Sequence, residues 1–147
     1  MAITITSTIP GLLDTFASDL RKKSDLSGVG VYSGPMAENA PELDTIIFFG
    51  AEVDNLRTGL GASSEFEEYE ISGYVHARRA GAGETAIKTA RDRAFTLFAV
   101  LAEYVADDTS HIDTRLTLDR VKQGVDPEGR WTALEFTVHV RAVINPT

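Results

Sequence analysis

This chain of 147 residues has no cysteine, one tryptophan, two methionines and fewer basic than acidic groups, 14 Lys and Arg against 22 Asp and Glu. The missing cysteine excludes disulfides, thiol catalysis and thiolate metal sites. No apolar run approaches the roughly 20 residues that a membrane helix needs. The opening Met1-Ala2-Ile3-Thr4-Ile5-Thr6 has no basic region ahead of an apolar one, so neither a span nor a secretory signal is expected. A formal net charge of −8 argues against nonspecific nucleic-acid binding, which needs clustered cations to neutralise phosphates. Basic residues gather only locally, at Arg21-Lys22-Lys23, Arg78-Arg79 and Lys88-Arg91-Arg93, and are read as solvated helix and strand ends.

What remains is ordinary globular material, 43% hydrophobic and 24% charged. One domain over 1–147 is expected, large enough to bury roughly 70% of its unfolded surface. Thr8-Ile9-Pro10-Gly11 reads as a hydroxyl N-cap with Pro in the first turn. Ile9, Leu12, Leu13, Phe16, Ala17 and Leu20 then fall at helical spacing, predicting a helix over 9–24 that closes on three cations. Val29-Gly30-Val31-Tyr32 is a short strand. Thr45-Ile46-Ile47-Phe48-Phe49 is a second, apolar on both faces, so its second face needs cover from elsewhere in the chain or from another subunit. Residues 50–64 show no periodicity and read as a long loop, of the kind that is functional or mobile.

From Phe66 to Ala77 a third strand sets Tyr69, Ile71, Val75 and Ala77 on one face and Glu68, Glu70, Ser72, Tyr74 and His76 on the other. A Gly-rich joint (Gly81-Ala82-Gly83) opens a second helix carrying Ile87, Ala90, Ala94, Leu97, Phe98, Leu101, Tyr104 and Val105, which with Phe95 is expected to fill the space against the sheet. Arg115–Val121 alternates as a fourth strand, Asp126-Pro127-Glu128-Gly129 is a hairpin turn, and the fifth strand points Leu134, Phe136, Val138, Val140 and Ala142 inward. The fold class follows: α+β, a mainly antiparallel five-stranded sheet with two helices on one face, in the order α-β-β-β-α-β-β.

Candidate chemistry is sparse. The Gly81–Thr85 joint has the setting of a phosphate loop but lacks the Gly-Lys-Ser/Thr ending, so a flexible strand-to-helix connection is favoured. His76 and His139 could meet across the outer face beside Glu70 or Glu135 to bind zinc, yet plain cross-strand pairing is commoner. Of the acids Glu65, Glu67, Glu68 and Glu70, only Glu68 with Glu70, or Glu65 with Glu67, share a face. They read as a negative surface rather than a catalytic pair. No catalytic, cofactor or metal residue is assigned.

In its element order, in the strand Tyr69–Arg78 leading to the helix Glu84–Ala94, and in the opening Ile9-Pro10-Gly11-Leu12-Leu13-Asp14, the chain resembles the tail-terminator (tail-completion) proteins of long-tailed bacteriophages. The resemblance covers nearly the whole length. It implies a non-enzymatic, cofactor-free structural protein of the virion, assembled in the host cytoplasm at the head-proximal end of the tail. Such a protein forms a hexameric ring that caps the tail tube, halts its polymerisation and offers a docking surface to the head. Its partners would be copies of itself, the tail tube protein and a head–tail connector or neck protein, with DNA passing through unbound. An acidic lumen fits that passage, because like charges repel.

On this reading Ile46, Phe48, Asp54, Leu56 and Arg57 are interface candidates, and the loop from Glu52 to Ser63 meets a neighbour or the tube. Glu68, Glu70 and Glu135 form an acidic exposed or lumen face. The rival readings are a neck or head-closure protein of the same junction, a small-ligand-binding α+β module, and an enzyme acting on phosphorylated or acylated substrates.

Overall fold

The computed structural model describes residues 7–35, 41–56, 65–81, 83–108, 111 and 113–144. Helix α1 runs Ile9–Arg21, a single 3-10 turn follows at Ser24–Leu26, and strands β1 (Gly30–Tyr32), β2 (Asp44–Leu56) and β3 (Glu65–Arg79) come next. Helix α2 (Glu84–Ala106) then leads to β4 (Asp113–Asp126) and β5 (Gly129–Ile144). The five strands form one sheet in the order β1-β2-β3-β5-β4. Every neighbouring pair is antiparallel except β1 with β2. The expected α+β class and element order are what the molecule shows.

Both helices lie against the same face of the sheet. Alternation along β3 and β5 puts Tyr69, Ile71, Val75 and Ala77 beside Leu134, Phe136, Val138 and Val140, all buried. α2 lays Ala94, Leu97, Leu101 and Val105 onto that surface, and α1 adds Leu12, Phe16, Ala17 and Leu20. Burying each of the large side chains contributes about 1.5–3 kcal/mol. Aromatic edges lock the layers: Phe16 meets Phe48 at 6.2 Å and Tyr104 at 5.1 Å, and Phe48 meets Phe136 at 5.8 Å. Phe95, expected in this space, is 40% exposed on the outer side of α2.

One sequence expectation changes at β2, and one left open there is answered in part. The strand does not stop at Phe49 but continues to Leu56, with irregularities in register between Phe48 and Gly50 and between Val53 and Asn55. Each bulge breaks the period-two pattern, which is why the second half reads as a loop in the sequence. Of the doubly apolar stretch, the described residues of the chain cover Ile46, Ile47 and Phe48, while Phe49 is 46% exposed. Ile46 and Phe48 face the helices and are fully buried, while Ile47, on the other face, is 4% exposed between its register neighbours Tyr74 and Tyr32.

The start of α1 also differs. Thr8 does not cap the helix with its side chain. The N-terminus is closed instead by Glu67 of β3, whose carboxylate accepts the Thr8 backbone N–H at 2.6 Å and the hydroxyls of Thr8 and Ser7 at 2.8 and 2.9 Å. A buried carboxylate there also meets the positive end of the helix dipole.

Candidate functional site

The outer sheet face, opposite the helices, carries most of the residues singled out from sequence. It is not uniformly acidic. Antiparallel register sets Glu68 across from Arg141 and Glu70 across from His139, and the pairs close at 3.5 and 3.1 Å. Glu135 faces Arg120 and Lys122 of β4 at 3.5 and 3.1 Å. Glu68 and Glu135 are therefore charge-compensated by cross-strand cations and Glu70 pairs with a histidine, so the face is a lattice of mixed charge. Partly exposed pairs of this kind contribute about 0–1 kcal/mol each. Their use is register and surface pattern.

Further along the same face an aromatic row crosses the sheet. Phe49 packs on Tyr74 at 4.7 Å, Tyr74 on His76 at 6.4 Å, and His76 stacks on Trp131 at 5.9 Å with ring planes 26° apart. Trp131 in turn covers Gly124 of β4, where an added Cβ would come within 2.3 Å of the indole. Burial pushes the His76 imidazole below its ordinary value of 6.5, and the Arg78 guanidinium adds to this; Asp126 and Asp44 oppose it. The sequence signal for Trp131 was its parity with Ala133 and Glu135 on β5, which places it on the outer face.

His76 and His139 do not converge. His139 is registered against Glu70 and His76 against Ala133, six positions apart along β3, or about 20 Å. His139 meets Glu70 through Nδ1 and the Thr117 hydroxyl, 3.2 Å away, through Nε2. Among the described residues no group of three potential ligands is placed to hold a metal ion. Glu68 and Glu70 share a face as expected but are committed to Arg141 and His139, and Glu67 is spent on closing α1.

The arginines of the Gly-rich joint are likewise committed. Arg78 pairs with Asp126 and Glu128 of the hairpin at 2.8 and 2.6 Å. Arg79 joins Arg93 of α2 on the buried Asp44, at 2.6 and 3.0 Å. Burial raises the Asp44 carboxyl, but the bonds and charges of the two guanidinium groups outweigh that and hold it below its usual 3.8.

Of the interface candidates, Ile46 and Phe48 belong to the core and present nothing to a partner. Asp54, Leu56 and Arg57 lie outside the described residues as far as their side chains are concerned. Glu52, at the start of the expected contact loop, is instead an exposed strand residue.

Sequence reasoning did not foresee a cleft of about 580 Å³ between α1 and the end of α2, lined by Thr15, Asp19, Lys23, Tyr104, Asp108 and His111. Tyr104 donates to Asp19 at 2.6 Å, Lys23 sits 5.7 Å above the Tyr104 ring, and His111 meets Asp108 at 2.8 Å. Its polar groups are thus tied to one another. None of these arrangements pairs a nucleophile with a base and an orienting third group.

No family model matches this chain, and no curated protein matches it. Among solved structures, its fold matches that of a chain in the virion of a native gene transfer agent (GTA) particle, with a TM-score of 0.51 and 18% sequence identity. The match covers 93% of this chain and 100% of that one. At such identity the likeness is one of fold, shared over nearly the full length of both.

Proposed function

We propose that this chain is a structural protein of a phage-like virion. More narrowly, it is a tail terminator that assembles as a ring, caps the tail tube and offers a docking surface at the head-proximal end. The observation that carries this reading is the end-to-end fold likeness to a chain of a gene transfer agent virion. It agrees with the resemblance seen in the order of elements and in the Tyr69–Ala94 stretch. The polar groups singled out on the outer face and at the Gly-rich joint are spent on one another, in cross-strand pairs and element clamps, which suits a scaffold more than a catalyst. The net charge of −8 suits a collar through which DNA slides without adhering.

The test is assembly with function. Native mass spectrometry of the purified chain is expected to give six copies. Addition to polymerising tail tube protein is expected to fix tube length and leave a density cap at one end in negative stain. Tubes that lengthen at the same rate with and without the chain would overturn the terminator assignment. A ring found at the neck instead of the tube end would give the junction role to head closure.

A second reading, a small-ligand-binding module, is favoured only by the cleft between the helices. A melting shift with a small anionic or aromatic compound, abolished by Tyr104→Ala, would support it.

A further inference from the structure

The sheet ends in two open edges. β4, fourteen residues long, has β5 on one side and no strand on the other among the described residues. At the opposite end, β1 covers only Thr45, Ile46 and Ile47 of β2, and among the described residues 48–56 have no strand neighbour on that side. Strands are usually about 5–6 residues long, and natural proteins shield long edges because their unpaired N–H and C=O groups template further pairing. Both edges carry charges, Glu52 on β2 and Arg115, Arg120 and Lys122 on β4, and register irregularities, yet they also hold most of the exposed apolar surface. Of the eight large apolar side chains exposed among the described residues, five lie on them: Phe49 and Val53 on β2, and Leu118, Val121 and Val125 on β4.

We infer that β4 of one copy pairs with the 48–56 segment of β2 in the next copy, joining sheets head to tail around the ring, an inference that rests on the ring reading above. Three observations agree. The first is direction. β2 and β5 run opposite to β3, so β4 runs parallel to β3 and opposite to β2. A copy rotated about an axis along the strands therefore sets β4 antiparallel to β2.

The second is the helix-bearing face. Val53 is in register with Tyr69, Leu118 with Phe136 and Val121 with Leu134, so all three stand on the side where those buried partners point. Joined edges would bring Val53 beside the β4 apolar residues and remove both sets from water.

The third is the outer face, where β2 offers Glu52, in register with Glu70, and β4 offers Arg115, Arg120 and Lys122. Glu52 has a like charge across from it within its own sheet, and Arg120 and Lys122 share the single carboxylate of Glu135. Pairing across copies relieves both imbalances. Because the two edges differ, the contact is heterologous, the kind that closes rings.

The chain has no cysteine, so single cysteines report the contact directly. The Val53→Cys protein is mixed under mild oxidation with Leu118→Cys, Val121→Cys or Val125→Cys, three β4 positions covering different registers. The mixtures are then read on non-reducing gels and by native mass spectrometry. The expected result is a disulfide-linked pair between Val53→Cys and at least one β4 variant within a six-copy ring, because a bridge needs Cα atoms within about 7 Å. Dominant β4-to-β4 linkage would overturn the head-to-tail contact in favour of a two-fold dimer. Rings that form with no linkage between the edges would overturn this interface and leave the ring standing. A chain monomeric at the highest concentration it tolerates would overturn the ring reading and this inference with it. All four positions are exposed, so unchanged melting temperatures are expected, and a variant that melts early is replaced by another β4 position.

Discussion

Glu67 and His76 lie on opposite faces of β3, and both do work that only their surroundings define. Glu67 would be one more surface acid by composition, yet its side chain is 59 residues from the helix start that it closes. Replacing it with Ala leaves the Thr8 N–H without its acceptor and takes one bond from each of the Ser7 and Thr8 hydroxyls. Glu67→Ala is expected to lower stability by about 1.5–3 kcal/mol in urea unfolding, the range for bonds to a charged acceptor. Tyr69, whose hydroxyl meets Thr8 at 2.8 Å, has its pKa pushed up to about 12, chiefly by burial.

His76 gives a pH signature. Its folded pKa is depressed below 6.5, so the unfolded chain binds the proton more readily. The stability contributed by neutral His76 is complete above pH 6.5 and declines as pH falls from there toward the lowered value. His76→Phe is expected to flatten this part of the profile. The tryptophan beneath is the only one in the chain, so its fluorescence should drop as pH falls through the lowered folded value, where the stacked ring gains charge, and should stay level in His76→Phe.

Between elements, the Asp44 clamp joins β2, the end of β3 and α2 through Arg79 and Arg93. Because the Asp44 carboxyl is held below 3.8, the clamp is intact above that pH and is lost as pH falls through the lowered folded value. Asp44→Asn is expected to cost about 1–3 kcal/mol at pH 7. Its melting temperature should converge on that of the parent once pH has fallen through the lowered folded value, where both lack the charge. A second junction admits no side chain at all: a Cβ on Gly73 would lie 2.3 Å from the Ile47 carbonyl oxygen and 2.6 Å from the Phe136 ring. Gly73→Ala is expected to push β2 and β3 apart at the bulge, with a loss of about 1–3 kcal/mol from overpacking. Neither junction shows in periodicity, because periodicity reports which way a residue points and not what stands opposite. β3 and β5 were legible since their alternation is unbroken. β2 was legible only to its first bulge, and the parallel pairing of β1 left no local signal.

For the whole molecule, full burial of Phe48 changes what a substitution there would test. Phe48→Asp is expected to unfold the subunit, since an unpaired carboxylate would enter the core. It cannot separate assembly from folding. Val121→Asp can: on the exposed edge it is expected to leave urea unfolding within about 0.5 kcal/mol of the parent. Light scattering should show fewer assembled copies. Equal loss of fold and assembly in this variant would count against the edge contact.

The amino-acid order alone determined the two amphipathic helices, the inward and outward sets of β3 and β5, the hairpin at Asp126–Gly129 and the absence of thiol chemistry. Each of these is fixed by spacing of a few residues or by composition. Tertiary structure decided what meets across distance: Glu67 at the head of α1, Glu68, Glu70 and Glu135 against partners on β4 and β5, Ile46 and Phe48 inside instead of at an interface, and two strand edges that have no neighbour among the described residues. Those outcomes depend on strand order and register, which hydrogen bonding and packing settle between segments dozens of residues apart.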